Sequence, residues 1–583
     1  MNRSKSHGYE EPDEPVHHGR HSVGEIVYHM DQVDAEDANS SGDFDAPSDD
    51  QRTICISWEK NDPGNPYNWP APKKALVFVV GVALVLNSTM GSSLPGNSVT
   101  YIMDEFHVHG DTNGTRKVLP ISMFLLGYVF GPIVWGPMSE SFGRKWISVV
   151  TFFFYSLATL ACALASSWSQ MLGFRLAAGI FASSPIAIAL GILSDICGTA
   201  RSRGRAMGAF MVSTTFGPLL SPIVSGFVSP NFGWRWTWRI ALIVCAVTQV
   251  MVIFLPETYH PVLLAQRARR MNKEHPTKTF RAPPVSHHKS AMEFMTTVLT
   301  RPLRMLFFEP LVSSTCLYIG LVYAVFYMAF SIFPLIFQEG YGLSPGVTGL
   351  AFLPIGGGAA LALPLWWGWD GILPYLRAKH AEKVAAASDL NNTITTSESA
   401  TPETTADLER SSQQQQHQST SESWLFKEEA LRLPASCIGG PLFSISLFWL
   451  AASAPSDSGA PYWVSILAGV PFGLGYMLVF MSLLNYLTDA YKKYAASANA
   501  AASTSRSVFG CVLPLATGRM FESLGVRGAL CLLGGLSLVL AAVPWGFLML
   551  GERLRESSVF ARMLREEEAR EEEEMEGRDR GRE

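Results

Sequence analysis

Two arginines lie inside stretches of sequence that otherwise carry no charge. Arg175 follows 29 uncharged residues and precedes 19 more, and Arg506 interrupts an uncharged stretch over 494–518. A guanidinium in the middle of a bilayer costs at least ~2.5–3.5 kcal/mol, so each must face the protein interior or a wet cavity. Arg stays protonated; it cannot carry a proton, but it can tune a nearby carboxylate. The sequence therefore predicts charge chemistry deep in an apolar environment.

Arg175 has two interpretations. Its charge is coupled to proton or substrate movement, or it only bridges backbone carbonyls of neighbouring helices. Asp195 lies twenty residues further on, about 30 Å along a straight helix, so the two cannot pair directly. We expect Asp195 either to form an ion pair at a cytoplasmic gate or to take part in proton release. The group that carries the proton is left open, because no Asp or Glu lies in the middle of an apolar stretch.

Several polar or amphipathic side chains within the apolar stretches are predicted to line a cavity. An Asn in such a position has an alternative role, since buried amides also join helices to one another. Two buried arginines without a central acid favour neutral or anionic cargo over a cation. The predicted cavity residues, in addition to Arg175, are Asn87, Tyr323, Tyr327, Asn485, Tyr486 and Arg506.

These residues must be positioned by membrane-spanning helices. A helix needs about 20 apolar residues to cross ~30 Å of hydrocarbon, and continuous apolar runs favour helices over barrel strands. We therefore predict an all-α polytopic membrane protein with twelve transmembrane helices in two six-helix halves. The twelve runs are 75–103, 118–139, 146–174, 176–194, 206–234, 240–256, 310–338, 340–369, 433–456, 458–488, 494–518 and 528–551.

The composition excludes several function classes. Only 16% of the 583 residues are charged, against roughly 25% in an ordinary soluble protein. A net charge of −5 gives no indication of nucleic-acid binding. No Gly-Lys pair occurs, which excludes a GxxxxGK[ST] phosphate loop, and no HExxH or paired-cysteine zinc pattern is present. We expect no enzyme activity, no metal site and no cofactor.

The polar segments define the predicted domain organisation. Two six-helix halves, 74–256 and 311–550, flank a central cytoplasmic loop over 257–310 that carries nine Lys and Arg residues. Basic loops stay in the cytoplasm, so both termini are expected there. Residues 1–73 are predicted to be a disordered segment, 370–431 a flexible insert and 551–583 a charged tail. Asn113 begins an Asn-Gly-Thr sequon on the predicted outer side, so it is a glycosylation candidate.

The loop between spans two and three carries charges at the predicted cytoplasmic end. It reads Gly136-Pro137-Met138-Ser139-Glu140-Ser141-Phe142-Gly143-Arg144-Lys145. Opposite charges at helix ends can lock one of two conformations, although anchoring by positive charge alone is the alternative. The glycines allow a tight loop. The predicted gate residues are Gly136, Glu140, Gly143, Arg144, Lys145, Asp195 and Arg203.

This loop resembles the signature loop of the major facilitator superfamily, with Glu140 and Ser141 as departures. It is most similar to fungal twelve-span drug:proton antiporters, in the polyamine and multidrug exporter-like branch. The resemblance covers about 60–550, apart from 384–423, and implies the major facilitator fold. It also implies that Arg175 is associated with proton antiport. Further similar segments are Asp62–Pro70, Arg175–Gly179, Gly233–Trp236, Pro256–Leu264, Asn485–Tyr491 and Arg506–Gly510.

Span five resembles the antiporter motif of the same family over Gly217–Gly226, with Ser221 and Ser225 in place of two glycines. The resemblance implies a rigid, kinked helix that prevents leak; helix packing alone is the alternative. The residues that carry this motif are Gly217, Pro218, Pro222 and Gly226.

The resemblance implies a secondary active transporter that exports a small organic molecule by alternating access. The expected partners are that substrate, protons and the lipid bilayer, with the proton gradient as energy source and the chain as a monomer. One alternative is uptake of a nutrient, polyamine or organic acid, and a remote one is a membrane sensor without transport. The plasma membrane is the expected location, with the vacuolar membrane as the alternative.

Overall fold

The structure is a computed structural model that describes residues 53–59, 61–108, 114–275, 279–282, 291–396, 429–455, 459–491, 494–557 and 562. Helices dominate these residues, as the uninterrupted apolar runs predict. The predicted glycosylation residue Asn113 lies outside the described residues.

The first half of the chain contains the N-terminal set of long helices, with a 3₁₀ turn at Pro66–Asn68 before them. The helices are α1 (Ala71–Ser93), α2 (Val99–Glu105), α3 (Thr115–Tyr128), α4 (Gly131–Phe142), α5 (Arg144–Ala163), α6 (Trp168–Ile196), α7 (Ala200–Phe232) and α8 (Trp234–Ile253). The central segment adds α9 (His260–Glu274) and α10 (Ala291–Phe308).

The second half repeats this arrangement. Its helices are α11 (Pro310–Phe333), α12 (Pro345–Leu350), α13 (Leu353–Thr396), α14 (Glu429–Ser453), α15 (Tyr462–Leu467), α16 (Gly469–Tyr491), α17 (Ala495–Val512), α18 (Thr517–Leu540) and α19 (Ala542–Ser557). A π-helical turn, Pro334–Gly340, continues α11, and a 3₁₀ turn, Leu513–Ala516, continues α17.

The number of spans agrees with the twelve apolar runs. Among the described residues, ten helical stretches are long and apolar enough to cross a membrane, and an eleventh forms where α3 meets Ile133–Phe142 at 42°. One of the ten, Ala495–Gly551, has 57 residues; at ~1.5 Å per residue it is nearly three times as long as the bilayer core is thick. It breaks at Gly525, where φ is +67°. Divided at that break, it supplies two spans, and the total is twelve.

The break between spans three and four differs from the one that the charges suggested. The runs 146–174 and 176–194 are separated by Arg175, but α5 ends at Ala163 and α6 begins at Trp168. Ser167 determines this start, because its side chain accepts a hydrogen bond from the Gln170 N–H at 3.3 Å. Arg175 therefore lies within α6, two turns from its N-terminus.

The two halves meet along two seams. In one, α17 lies against α3 and α4; in the other, α7 lies against α12 and α13. Ser122 on α3 donates to the Cys511 carbonyl on α17 at 2.9 Å. Thr215 on α7 donates to the sulfur of Met477 on α16 at 3.8 Å. Each seam thus pairs an N-terminal helix with a C-terminal one.

The predicted flexible insert contains more regular structure than expected. The flexible insert was predicted to begin at residue 370, but α13 continues to Thr396, and α14 already begins at Glu429. Alanines at 378, 381 and 385–387 favour this extension because Ala has the highest helix propensity. Residues 397–428 lie outside the described residues, as do 558–561 and 563–583 of the predicted tail.

A separate small unit contains β1 (Thr53–Cys55), most of α9 and β2 (Thr279–Arg281). The strands pair in parallel, with Thr53 opposite Thr279. The Asn272 amide holds β2 to α9, since it donates to the Phe280 carbonyl at 2.9 Å and accepts from the Phe280 N–H at 2.6 Å. The prediction of disorder over 1–73 is therefore wrong for residues 53–55, whose backbone pairs with a strand of the central segment, and for 66–68 and 71–73, which are helical.

Gly179 fixes the spacing of α3 and α6. A Cβ at this position would lie 2.9 Å from the Phe124 carbonyl carbon, so the two backbones touch. We predict that Gly179→Ala destabilises the purified protein by about 1–3 kcal/mol, because the helices must separate. The measurement is the thermal unfolding midpoint in detergent.

Gly173 on the same helix provides the matched control, because nothing lies within 4 Å of a Cβ there. Gly173→Ala should leave the unfolding midpoint unchanged or raise it slightly, since Ala favours helix. Equal midpoints for the two variants would contradict the close contact.

Candidate functional site

Arg175 is fully buried and bound by backbone carbonyls. Its Nε donates to the Pro120 carbonyl at 2.8 Å, and its terminal nitrogens donate to the Gly91 and Ser92 carbonyls at 2.6 Å each. The guanidinium also stacks on the Phe124 ring at 4.3 Å. This geometry is the one expected if Arg175 bridges backbone carbonyls of neighbouring helices, and it joins α6 to α1 and α3.

The acceptors for Arg175 come from a helix end. A carbonyl in an α-helix normally accepts from the N–H four residues later, and for Gly91 that residue is Pro95, which has no N–H. α1 ends at Ser93, so its last carbonyls lack intrahelical partners and carry the negative end of the helix dipole. A buried cation at this point donates hydrogen bonds to these carbonyls, and the negative end of the helix dipole stabilises its charge.

Arg506 has different surroundings. Its guanidinium carbon lies 4.7 Å from the Phe480 ring centre and 5.5 Å from that of Tyr323. The rings of Tyr323 and Tyr327 lie 4.9 Å apart, and Tyr327 and Ser92 share a hydrogen bond of 2.9 Å between the two halves. The structure therefore brings three of the predicted cavity residues together on α11 and α17.

The aromatic cluster contains further members that the sequence did not single out. Phe480 and Tyr476 stack at 5.3 Å, and Tyr476 stacks on Phe326 at 4.8 Å. Tyr128 on α3 hydrogen-bonds Ser88 at 2.6 Å. Aromatic residues are common in every apolar span, so composition alone does not reveal which of them meet Arg506.

The other predicted cavity residues have different contacts. The Asn87 amide donates to Thr248 at 3.1 Å and accepts from Cys245 at 3.3 Å, which joins α1 to α8 within the N-terminal half. Asn485 donates to the Met481 carbonyl of its own helix at 2.7 Å. Tyr486 is buried against Phe547 at 5.7 Å between ring centres. The structure does not bring these three to Arg506.

At the predicted cytoplasmic end, Arg144 and Asp195 form a buried ion pair. Arg144 Nε lies 3.3 Å from Asp195 Oδ2, and Arg144 Nη1 donates to Ser139 at 2.7 Å. Asp195 Oδ2 also accepts from Thr258 at 3.3 Å. The Arg144 guanidinium stacks on Tyr259 at 4.8 Å. We call Ser139, Arg144, Asp195, Thr258 and Tyr259 the Arg144 cluster.

Glu257 caps α5 beside the Arg144 cluster. Its Oε1 accepts from the N–H groups of Arg144 at 3.0 Å, Thr258 at 2.9 Å and Tyr259 at 3.0 Å, and Oε2 accepts from that of Lys145 at 3.1 Å. A carboxylate is stabilised at a helix N-terminus by the dipole and by unpaired N–H groups. Sequence reasoning recorded Glu257 only as part of a similar segment; a carboxylate directly after an apolar span was the available signal.

Gly143 is required at this cap for two reasons. Its φ is +94°, which is strained for residues with a side chain, and a Cβ there would lie 3.0 Å from the Glu257 carboxyl carbon. Gly136, the other glycine of the loop, has nothing within 4 Å of a Cβ position. The two glycines of the predicted gate therefore have unequal structural roles.

The remaining predicted gate residues lie outside the Arg144 cluster. The side chains of Glu140 and Arg203 are exposed, and that of Lys145 is half-buried. Thr199 begins α7 with a capping box, and this places Arg203 in the first turn of the helix, toward solvent. Burial raises the pKa of Tyr259, and the nearby Glu140 carboxylate adds to that rise. Glu140 thus acts on the cluster at a distance, whereas the structure does not bring Arg203 to Asp195.

The C-terminal half has a matching ion pair. Arg432 Nε lies 2.7 Å from Asp489 Oδ2. Arg432 lies near the start of α14 and Asp489 near the end of α16, as Arg144 and Asp195 lie on α5 and α6. Glu309, buried beside this region, accepts from the Tyr491 hydroxyl at 3.0 Å. Each half therefore has an internal ion pair that joins two of its helices at the predicted cytoplasmic end.

The predicted antiporter motif packs α7 against both halves. A Cβ at Gly217 would lie 2.7 Å from the Leu86 carbonyl oxygen, and one at Gly226 would lie 2.8 Å from the Pro345 carbonyl carbon. Pro222 leaves the Pro218 carbonyl without its helical donor, and Ser93 donates to it at 2.7 Å. The motif thus brings α1 and α12 into close contact with α7.

Polar contacts also join the halves at the predicted outer end. Asn97 donates to the Pro222 carbonyl at 2.9 Å and to the Pro345 carbonyl at 3.2 Å, and accepts from Gln338 at 3.3 Å. Nearby, Glu105 pairs with Arg235, whose hydrogen bond lowers the pKa of that carboxyl. No group of three or more His, Cys, Asp or Glu residues suited to a metal occurs within the described ranges.

The Glu257 cap can be tested by stability. We predict that Glu257→Ala lowers the free energy of unfolding by about 1–3 kcal/mol, because four buried or half-buried N–H groups lose their acceptor. Glu257→Gln should lose less, since one carbonyl oxygen remains. The measurement is again the unfolding midpoint in detergent.

Glu339 provides the comparison, because its pair with Lys117 is 3.8 Å long and both side chains are about half exposed. Exposed pairs of this kind contribute about 0–1 kcal/mol, so Glu339→Ala should leave the midpoint nearly unchanged. A Glu257→Ala midpoint equal to that of Glu339→Ala would contradict the cap.

Comparison with known proteins agrees with this architecture. Residues 80–370 match the family model described as Major Facilitator Superfamily. The chain is 34% identical over 510 residues to the MFS-type efflux pump MFS2 of Trichophyton rubrum, which covers 87% of this chain and 77% of that protein. It is 32% identical over 538 residues to the citrinin biosynthesis cluster MFS transporter mrr1 of Monascus ruber, with coverage of 91% and 97%.

Solved structures share the fold at low sequence identity. The inward open xylose transporter XylE from E. coli matches with a TM-score of 0.55 and 13% identity, over 81% of this chain and 96% of that chain. The human organic anion transporter MFSD10 matches with a TM-score of 0.52 and 14% identity, over 82% and 100%. With about a third of its residues identical to those of fungal transporters over most of its length, the chain belongs to the major facilitator superfamily and is a multi-pass secondary transporter.

Proposed function

We propose that this transporter exports small organic molecules in exchange for protons. The observation that carries the direction is the identity of about a third with relatives named as efflux pumps and multidrug transporters. One relative is named as the transporter of a citrinin biosynthesis cluster, so we include secondary metabolites as well as drugs in the proposed cargo. The proton gradient supplies the energy, and no cofactor is needed.

The contacts support transport by alternating access. Asn97, Gln338 and Pro345 join the halves at the predicted outer end. At the other end, the buried pair Arg144–Asp195 and the partly buried pair Arg432–Asp489 each lie within one half. Two halves that are internally fastened can rock against each other about a site near the bilayer midplane. The transporter acts as a monomer in the plasma membrane, with both termini in the cytoplasm.

Proton coupling is tested by removing the gradient. Cells or vesicles that contain the chain are expected to keep a fluorescent drug out against its concentration gradient until a protonophore is added. Accumulation should then rise to the level of cells without the chain, because uphill efflux has lost its driving force. A control with valinomycin in high potassium removes only the electrical part of the gradient. Unchanged efflux with the protonophore would contradict coupling to protons, and accumulation above the control cells would indicate uptake.

The Arg144–Asp195 pair is tested by neutralising each partner. Asp195→Asn leaves Arg144 buried without its counter-ion, and breaking a buried pair in this way costs ~3–5 kcal/mol. That cost falls on the conformation in which the pair forms, so efflux by Asp195→Asn or Arg144→Gln should slow at least tenfold. The double variant, which removes both charges, should recover part of the rate.

Arg203→Gln is the matched control, because Arg203 is an exposed arginine at the same end of the bundle. It should transport at the normal rate per molecule in the membrane. Equal losses in the Arg203→Gln and Arg144→Gln variants would contradict the special role of the buried pair.

A further inference from the structure

The two arginines inside the spans differ in how their donors are used. Three nitrogens of Arg175 donate to backbone carbonyls, and the side chain is fully buried. For Arg506, Nε is buried without a hydrogen-bond partner among the described residues. No hydrogen bond or ion pair within those residues reaches its terminal nitrogens either, and the side chain is only partly buried. One guanidinium is satisfied by the fold, and the other retains its donors.

The Arg506 cluster, which consists of Arg506, Tyr323 and Phe480, lies at one depth. Arg506 is eleven residues from the start of α17, Phe480 is eleven from the end of α16, and Tyr323 is thirteen from the start of α11. At ~1.5 Å per residue, each lies about 17–20 Å from the predicted cytoplasmic end, near the middle of a ~30 Å bilayer.

The accessible part of Arg506 faces the interior of the bundle. Its helix, α17, packs against α3, α11 and α16, and the rings of Tyr323 and Phe480 belong to two of these. A charge at this depth that faced lipid would carry the cost of an unpaired intramembrane ion. The donors without partners therefore face the protein interior rather than lipid.

We propose that Arg506, Tyr323 and Phe480 form a binding site for an organic anion that carries its carboxylate on a flat aromatic ring. A guanidinium binds a carboxylate through two parallel N–H···O bonds, which are stronger than neutral hydrogen bonds. The Tyr323 ring, 5.5 Å from the guanidinium carbon and partly exposed, provides a surface for the aromatic part of the ligand. The buried Phe480 ring, at 4.7 Å, holds the guanidinium in place. This inference deepens the proposed export function and rests on it for the meaning of the ligand as cargo.

The chemistry also argues against a cation in this site. An ammonium or guanidinium ligand would meet Arg506 in a medium of low dielectric constant, where like charges repel strongly. The described residues of the cluster include no carboxylate to compensate. The site therefore selects by charge as well as by shape.

The test is equilibrium binding with a matched pair of ligands, 2-naphthoate and 2-naphthamide, which share the ring and differ in charge. Purified full-length protein in nanodiscs is titrated calorimetrically with each. We expect 2-naphthoate to bind at least tenfold more tightly, as a charge-assisted bidentate contact would require. Arg506→Gln should abolish this preference and leave the affinity for 2-naphthamide unchanged. Phe480→Leu should lower the affinity for both ligands.

Arg235→Gln is the control, because Arg235 also stacks on an aromatic ring, Trp234 at 4.4 Å, but lies at the start of α8. It should keep the tenfold preference. If Arg506→Gln fails to fold, Arg506→Lys retains the charge without the planar fork and should keep only part of the preference.

Three results would overturn the site: no binding of 2-naphthoate by the unmodified protein, equal binding of both ligands, or an unchanged preference in the Arg506 variants. Binding is measured without a gradient, so it is independent of export. A chain that binds 2-naphthoate but exports nothing would overturn the proposed function and leave the site intact. A chain that exports drugs without the charge preference would overturn only the site.

Discussion

The structure depends on one constraint: a polar group at membrane depth must find its partner inside the protein. Prolines create such groups wherever they remove an N–H from a helix, and the fold uses the freed carbonyls to join helices. Pro95 frees the Gly91 carbonyl for Arg175, and Pro222 frees the Pro218 carbonyl for Ser93. The same prolines that weaken individual helices therefore provide the hydrogen-bond acceptors that join α1 to α6 and to α7.

Charges at the predicted cytoplasmic end extend this principle to whole halves. Arg144–Asp195 and Arg432–Asp489 occupy corresponding helix ends, and each pair closes within its own half. Contacts between the halves lie along the seams of α3, α4 and α17 and of α7, α12 and α13. The ion pairs with buried members lie within each half, whereas neutral hydrogen bonds and the exposed Lys117–Glu339 pair join the halves, and this lets each half move as a unit. Alternating access needs this division of rigidity.

The sequence was sufficient for the spans but not for every contact. Apolar runs predict helices because a bilayer admits few alternatives, so all twelve runs could be read directly. Charge was a poor guide to the break before α6, because Arg175 lies inside the helix and Ser167 begins it. The Arg144–Asp195 contact was within reach of sequence reasoning, since both residues end neighbouring spans. The role of Phe480 was not, because it depends on which faces of distant helices meet.

Arg175 and Arg506 show how far sequence reasoning extends. Both are single cations in apolar runs, and the sequence assigns them the same cost and the same need for a partner. The difference arises from helix ends: α1 stops beside Arg175 and offers carbonyls, whereas α11 and α16 continue past Arg506 and offer only rings. An uninterrupted helix has no spare carbonyls at mid-depth. A cation beside such helices keeps its hydrogen-bond donors available, which is what a binding site at the bilayer midplane requires.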